Sequence, residues 1–485
     1  MNAQRETLIK TGGASLPCIV AICAVIIATI LRSLCASGEL WLDELWSIVL
    51  LQDVQDSSDL LLKVRHDNNH LLNSLWMWVL GPAASPIAYR IPSILYAALT
   101  LACLAIALNR SGFGWSGALW SVLIATSYPL VLLGSEARGY ALSLLCTMIC
   151  FLVLVEAARG QQQRYKAYVF SVAAMLGILS HGVFIPFYIS ALAWLLYLTL
   201  LQRGRVASWL WIATIAPTLI AILIGFFFYR EIVIGGGPQT SYLQVFLSTL
   251  SVSFGGTELS AFNPQGAVVA TLLAVLVALI IIIELILWVR ERDPISILVA
   301  VSIILSVAIV LILRPSFILS RYFALPILLS YLVAARFLCR LARQGALGGA
   351  IAVLAIGGYL WGNGQHVFEL MRYQRSHAVR IFQEARASSA EQGVSFGGDQ
   401  DNRNELRLRY GRMIDPALSS IVYVPDFSNA TSAPDFIVRE WLERGVEIPQ
   451  SFTGPHGDSY ALRHLYTAPL LSGATAGVYA KQAAK

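Results

Sequence analysis

Long stretches of this chain carry no charge at all, and that constrains its fold more than any other feature. Ala267–Ile283 is seventeen residues long, with Thr271 as its one polar side chain. A bilayer core is crossed by about 20 apolar helical residues, and a run of this kind is too apolar for a core helix of a water-soluble protein. Eleven apolar runs, some with a single charge or two, are read as spans, at 15–35, 91–109, 115–134, 139–157, 166–181, 183–201, 207–228, 265–289, 294–313, 322–341 and 346–363. Composition agrees: 57% of the residues are hydrophobic and 13% charged, where a soluble domain carries about 25% charged residues. A soluble globular enzyme, a disordered chain and a disulfide scaffold are excluded.

The scarce charges are sorted by position. Residues 364–485 hold thirteen basic and thirteen acidic side chains, as a water-soluble domain does. The chain therefore divides into a membrane domain, 1–363, and a soluble C-terminal domain, 364–485. With the N-terminus in the cytoplasm, the cytoplasmic segments of the membrane domain carry thirteen Lys and Arg against four acidic residues. That asymmetry is the positive-inside signal. An odd number of spans then puts the C-terminal domain outside, in the periplasm of a bacterial inner membrane. The net charge of +6 is thus a topology signal, and no nucleic-acid partner is implied. All seven cysteines fall in or beside spans, and none forms a CxxC pair. Glu284 is the acidic residue well inside a run, and is expected to snorkel toward the cytoplasmic boundary.

The chemistry-bearing side chains lie in the outer loops, of which 36–90 is the longest. It opens on Trp41-Leu42-Asp43-Glu44-Leu45-Trp46. Leu42, Leu45, Trp46, Val49 and Leu50 follow helical spacing and predict an amphipathic helix lying on the interface. Asp43 and Glu44 have a plain reading as a solvated first helical turn and a sharper one as a general base near the apolar boundary. His66-Asp67-Asn68-Asn69-His70 follows. His66 and His70 share a helical face if the segment is helical, and with Asp67 could ligate a metal. The plainer reading is a cap for a helix running to Leu80. Glu136 and Arg138 sit at membrane depth, where charges mark a site or pair with each other. His181 occupies a tight outer turn. Arg314 and Arg321, followed by Tyr322, have no carboxylate nearby in sequence and call for anionic partners, either membrane lipid head groups or a lipid phosphate held in a bidentate fork.

In order, these pieces resemble the GT-C glycosyltransferases of the protein-mannosyltransferase, aminoarabinose-transferase and rhizobial lipopolysaccharide sugar-transferase type. The resemblance rests on Asp43-Glu44 after the first span, His70-Leu71-Leu72 with Trp76, Arg90-x-Pro92-Ser93, Glu136-Ala137-Arg138-Gly139-Tyr140, His181 and Arg321-Tyr322, and covers roughly 15–340. Relatives with His-Pro-Pro-Leu-Tyr differ here, where the chain has His70-Leu71-Leu72-Asn73-Ser74. The resemblance implies a polyprenyl-phosphate sugar as donor and inverting transfer to a hydroxyl of a glycolipid, polysaccharide or protein acceptor. It implies Asp43 as base, with adjacent Glu44 as the alternative. It places Arg321 and Arg138 on the donor phosphate and Glu136, His70 and His181 around the site, where some members hold a divalent cation.

The fold expected is a polytopic α-helical membrane protein with a small α/β C-terminal domain. That domain is read as a helix over 364–392, strands at 394–396, 421–424, 436–438 and 460–464, and a helix at 402–412. Arg403, Arg407, Arg409 and Arg412 are read as its solvated face. It serves as a lid or scaffold over the site. Two other functions compete: a lipid-linked glycan ligase or polymerase, and a transporter or flippase. A transporter is expected to show repeats and polar residues at mid-span.

Overall fold

The computed structural model describes residues 15–161, 163–201, 208–233, 241–260, 263–313, 318–388, 393–429, 432–441, 446–472 and 474–482. Among these residues nine helices are long and apolar enough to cross a membrane, and the pair Gly114–Thr126 and Tyr128–Gly134, bent by 64°, is so only when its two halves are taken together. The remaining expected span, at 166–181, is the helix Arg164–Ser180, which at 17 residues is shorter than these. Side chains such as Leu272, Leu276, Leu279 and Ile283 point outward and are exposed. That arrangement is stable only where the solvent is hydrocarbon.

The bend in the third span has a local cause. Pro129 has no N–H to donate and its ring crowds the carbonyl four residues back, which kinks or breaks a helix, and Ser127, two residues before it, adopts an extended ψ of 118°. Its hydroxyl caps the second segment by accepting from the Leu130 N–H at 3.3 Å. The break frees carbonyls at the end of the first segment, and buried polar groups need partners. Arg32 of the first span supplies them, donating to Ile124 and Ala125, each at 3.1 Å.

Glu284 does not snorkel. It is fully buried and paired with Arg340 at 3.0 Å and Arg336 at 3.6 Å, so the neighbouring helix brings the charge to it.

The last span, Ala346–Tyr373, continues past the helix start expected at 364. Gln374, at φ 56°, ends it, and a second short helix, Arg380–Ala387, replaces the single long one expected. Six strands follow: β1 Ser395–Gly398, β2 Val422–Tyr423, β3 Phe436–Trp441, β4 Ser451–Thr453, β5 Ser459–Tyr466 and β6 Thr475–Lys481, in the order β2-β1-β3-β6-β5-β4. β1 is parallel to both β2 and β3, and the other pairs are antiparallel. The helix Asp401–Ile414 packs against one face. Its Arg403 and Arg407 are not a solvated face: both pair with the buried carboxylate of Glu440.

This sheet domain and the first loop share one core. Leu45, Ile48 and Val49 of the helix Leu42–Leu50 cluster with Phe382, Phe396, Leu406, Leu408 and Val438. The apolar face of that helix is therefore covered by protein, not laid on lipid. Each such side chain contributes about 1.5–3 kcal/mol on burial, whereas a nine-residue helix alone is marginal in water.

Candidate active site

Asp43 and Glu44 are the second and third residues of the helix Leu42–Leu50, so successive positions send them in different directions. Glu44 turns inward and is fully buried. It accepts from Arg90 Nε at 3.0 Å and Arg90 Nη2 at 2.6 Å, from the Ala137 N–H at 2.6 Å and from the Trp41 N–H at 3.1 Å. Arg90 spends its remaining hydrogens on the carbonyls of Ala36, Gly38 and Glu39. Burial raises the Glu44 pKa, but the Arg90 guanidinium outweighs it and holds the carboxyl below its ordinary value. Every strong valence of this pair is spent internally, which makes Glu44 a pin for the loop.

Asp43 turns the other way, into a focus of positive charge. One of its oxygens meets both Arg138 Nη1 and, at 2.7 Å, Arg321 Nη2. Burial pushes its pKa up, and Arg321 and Arg138 together override that and hold it below the ordinary aspartate value. The ring of Trp41 lies under both guanidiniums, 5.7 Å from Arg138 and 5.3 Å from Arg321. The carboxylate that the sequence around Arg321 did not reveal thus comes from 278 positions away.

Arg138 also binds His70 Nε2, through Nε at 3.0 Å and Nη2 at 2.7 Å. Burial and then the Arg138 charge lower the His70 pKa well below its usual value, so the imidazole is a neutral acceptor. His181 stacks on His70 at 4.5 Å and lies tilted by 34° against Tyr140 at 4.1 Å. Its Nδ1 accepts the Val183 N–H at 3.0 Å. Gly139 allows this packing, because a Cβ there would stand 2.0 Å from the carbonyl oxygen of Ser180. Gly139→Ala is therefore expected to cost about 1–3 kcal/mol of stability or more, since backbone must move. A thermal melt of the variant equal to that of the parent would contradict this packing.

Glu136 does not pair with Arg138. It is buried against Arg375 at 2.8 Å, beyond the last span, and Arg375 also donates to Ser135 Oγ at 2.8 Å and to the Leu132 carbonyl. Burial raises the Glu136 pKa, with Arg375 and Arg138 pulling against it. Glu136 ties the 135–139 loop to the segment after the last span, and it does not line the cavity described next. No sequence signal pointed to Arg375.

Arg138, Arg321, His70, His181, Tyr140 and Tyr322 line a cavity of about 160 Å³. Ile178, Ile224, Phe228 and Ile232 form an apolar wall, and Asp67 and Tyr229 complete its polar side. Arg321 Nε is buried without a hydrogen-bond partner among the described residues. Arg314 lies outside the described residues.

The metal set proposed from His66, His70 and Asp67 does not form. The helix starts only at Leu71, so His70 sits at its N-terminal boundary and does not share a helical face with His66. His70 Nε2 is committed to Arg138, and His66 stacks on Trp46 at 5.4 Å. Among the described residues no three His, Cys, Asp or Glu side chains converge as a metal site. A cation beside Asp43 would face two guanidiniums, so these residues do not fit a divalent ion.

No family model matches the chain, and no curated protein matches it in sequence. Solved structures do. ArnT from Cupriavidus metallidurans in the apo state is 12% identical with a TM-score of 0.50, over 94% of this chain and 97% of that one. The same protein bound to undecaprenyl phosphate gives 12% and 0.49, over 95% and 97%. The Archaeoglobus fulgidus oligosaccharyltransferase gives 10% and 0.49, over 87% of this chain and 68% of that one. The fold is thus that of apo ArnT along nearly its whole length, a polytopic helical membrane fold with a small C-terminal sheet domain, as expected from the sequence.

Proposed function

We propose that this chain is a membrane glycosyltransferase that moves a sugar from a polyprenyl-phosphate donor to an acceptor hydroxyl, with inversion, on the periplasmic face of a bacterial inner membrane. The observation that carries this reading is the convergence of Arg138 and Arg321 on Asp43 beside a cavity that is apolar on its other wall. A lipid phosphate needs both features at once, fixed positive charge for its head and a greasy surface for its first isoprene units. A charged phosphate and Asp43 compete for the same guanidiniums. Donor binding draws the two arginines toward the phosphate, and the Asp43 carboxylate, relieved of that charge, becomes a stronger base.

The step balances simply. The acceptor oxygen attacks the anomeric carbon, its proton passes to Asp43, and the bond from that carbon to the phosphate oxygen breaks. The electron pair leaves with the phosphate, where the two guanidiniums stabilise the growing charge. Arg138 stays oriented throughout by neutral His70 and the ring of Trp41. Glu44 and Arg90 hold the helix that carries the base. The C-terminal domain, taken as residues 364–485, is its outer scaffold. Glycolipid, polysaccharide and protein acceptors all present the hydroxyl that this chemistry uses.

ArnT from Cupriavidus metallidurans has been solved with undecaprenyl phosphate, and that lipid is the probe for the test. Arg321→Ala is expected to weaken undecaprenyl phosphate binding to the full chain in lipid nanodiscs about 10- to 100-fold, the effect of one charge-assisted contact of about 1.5–3 kcal/mol. Unchanged affinity would remove Arg321 from the phosphate site.

A further inference from the structure

Asp43, the base of the proposed reaction, is not the carboxylate on the wall of the cavity. Asp67 is. Its backbone N–H is fixed to the Val233 carbonyl at 3.1 Å, and Val233 in turn donates to the Arg65 carbonyl at 2.9 Å. This places the residue in a short bridge between the first outer loop and the segment after residue 231. The position is therefore set by backbone and not by a mobile side chain.

One oxygen of the Asp67 carboxylate, Oδ1, is buried, while the side chain as a whole is 27% exposed. His66 Nδ1 lies 2.8 Å from Oδ1, yet the same nitrogen accepts the Asn68 N–H at 3.1 Å. A ring nitrogen that accepts a backbone hydrogen has no hydrogen of its own to donate. Among the described residues Oδ1 is then buried without a donor. An unmet buried acceptor costs about 1–3 kcal/mol, more when charged. In the same cavity Arg321 Nε is a buried donor without an acceptor. Both of these atoms are closed off by protein, but the residues that own them line the cavity: the Arg321 and Arg138 guanidiniums and the partly exposed Asp67 carboxylate. A ligand that matches this lining has an anion at one point and hydrogen-bond donors at another.

From this we infer that Asp67 is the sugar-recognising residue of the cavity: its carboxylate accepts hydrogen bonds from hydroxyl or ammonium groups of the transferred sugar while Arg321 and Arg138 hold the phosphate. This rests on the glycosyltransferase reading and adds a selectivity to it. A neutral or amino sugar satisfies Asp67. A uronic acid brings a second carboxylate against it and is rejected.

The test uses the full chain in nanodiscs and four probes: bare undecaprenyl phosphate, and the same lipid phosphate carrying a neutral hexose, an amino sugar or a uronic acid. The parent protein is expected to bind the hexose or amino-sugar lipid at least tenfold more tightly than the bare lipid and to disfavour the uronate. Asp67→Asn keeps the shape and removes the charge. It is expected to erase that preference and the discrimination against the uronate, while bare undecaprenyl phosphate binds within twofold of the parent. A parent with no preference among the sugars overturns the inference, as does a variant that keeps the preference or weakens all four lipids alike. If the parent does not bind bare undecaprenyl phosphate either, the glycosyltransferase reading itself fails, so the two failures are separable. A thermal melt of Asp67→Asn matching the parent shows that the comparison is made on folded protein.

Discussion

Asp43→Asn is expected to lower sugar transfer per folded molecule about 100- to 10,000-fold, the range a positioned general base contributes, with a stability cost smaller than that of a fully buried pair because Asp43 and Arg321 are partly exposed. The asparagine keeps the size of the side chain and loses the ability to take a proton. A second effect runs in the opposite direction and identifies the role. On the proposed function, a lipid phosphate reaching Arg138 and Arg321 in the parent competes with the Asp43 carboxylate for them. In the variant that competitor is gone, so the lipid phosphate is expected to bind as tightly as in the parent or more tightly. Slow transfer with retained or improved donor affinity is the signature of a base that shares its cations with the substrate. Transfer at the parental rate, measured with a sugar-bearing lipid that the parent uses, removes Asp43 from the chemistry.

The neighbouring carboxylate is expected to behave differently. Glu44→Gln leaves Arg90 fully buried with its charge uncompensated, and breaking such a pair costs about 3–5 kcal/mol. The Ala137 and Trp41 N–H groups lose a charged acceptor at the same time. The expected result is a large fall in yield and melting temperature, with transfer lost in proportion to folded protein. A Glu44→Gln protein as stable as the parent but inactive would reverse the two assignments. Two adjacent acidic residues thus separate cleanly, one by its chemistry and the other by its stability.

Much of this was legible beforehand because it is written locally. An uncharged stretch such as Ala267–Ile283 has few alternatives to a spanning helix, and it lies within the helix Pro264–Arg290. Asp43, Arg138, His181 and Arg321 stood out because charges and imidazoles at the edges of apolar runs are rare. Their pairing did not stand out. Nothing in the neighbourhood of Arg321 announces Asp43, and nothing near Arg375 announces Glu136, because both contacts depend on how distant helices pack. The helix Leu42–Leu50 shows the same limit from another side. Its apolar stripe was visible, but amphipathicity gives a direction without naming what covers it, and the cover proved to be protein. β4 and β6 were missed for a more local reason. Ser451–Thr453 has three residues, and Thr475–Lys481 is rich in Gly and Ala, which carry little strand signal.

The shared core of the first loop and the sheet domain also sets an order of assembly. The helix that carries Asp43 occupies residues 42–50, but the side chains that cover it, Phe382, Phe396, Leu406 and Val438, come more than three hundred residues later. At about 5–20 residues per second of synthesis, the nascent helix waits roughly 15–80 seconds for its cover. Throughout that interval every span preceding the sheet domain can be inserted while the site is still unfinished. On the proposed function, a chain that stalls before the sheet domain is made is expected to be embedded in the membrane but inactive.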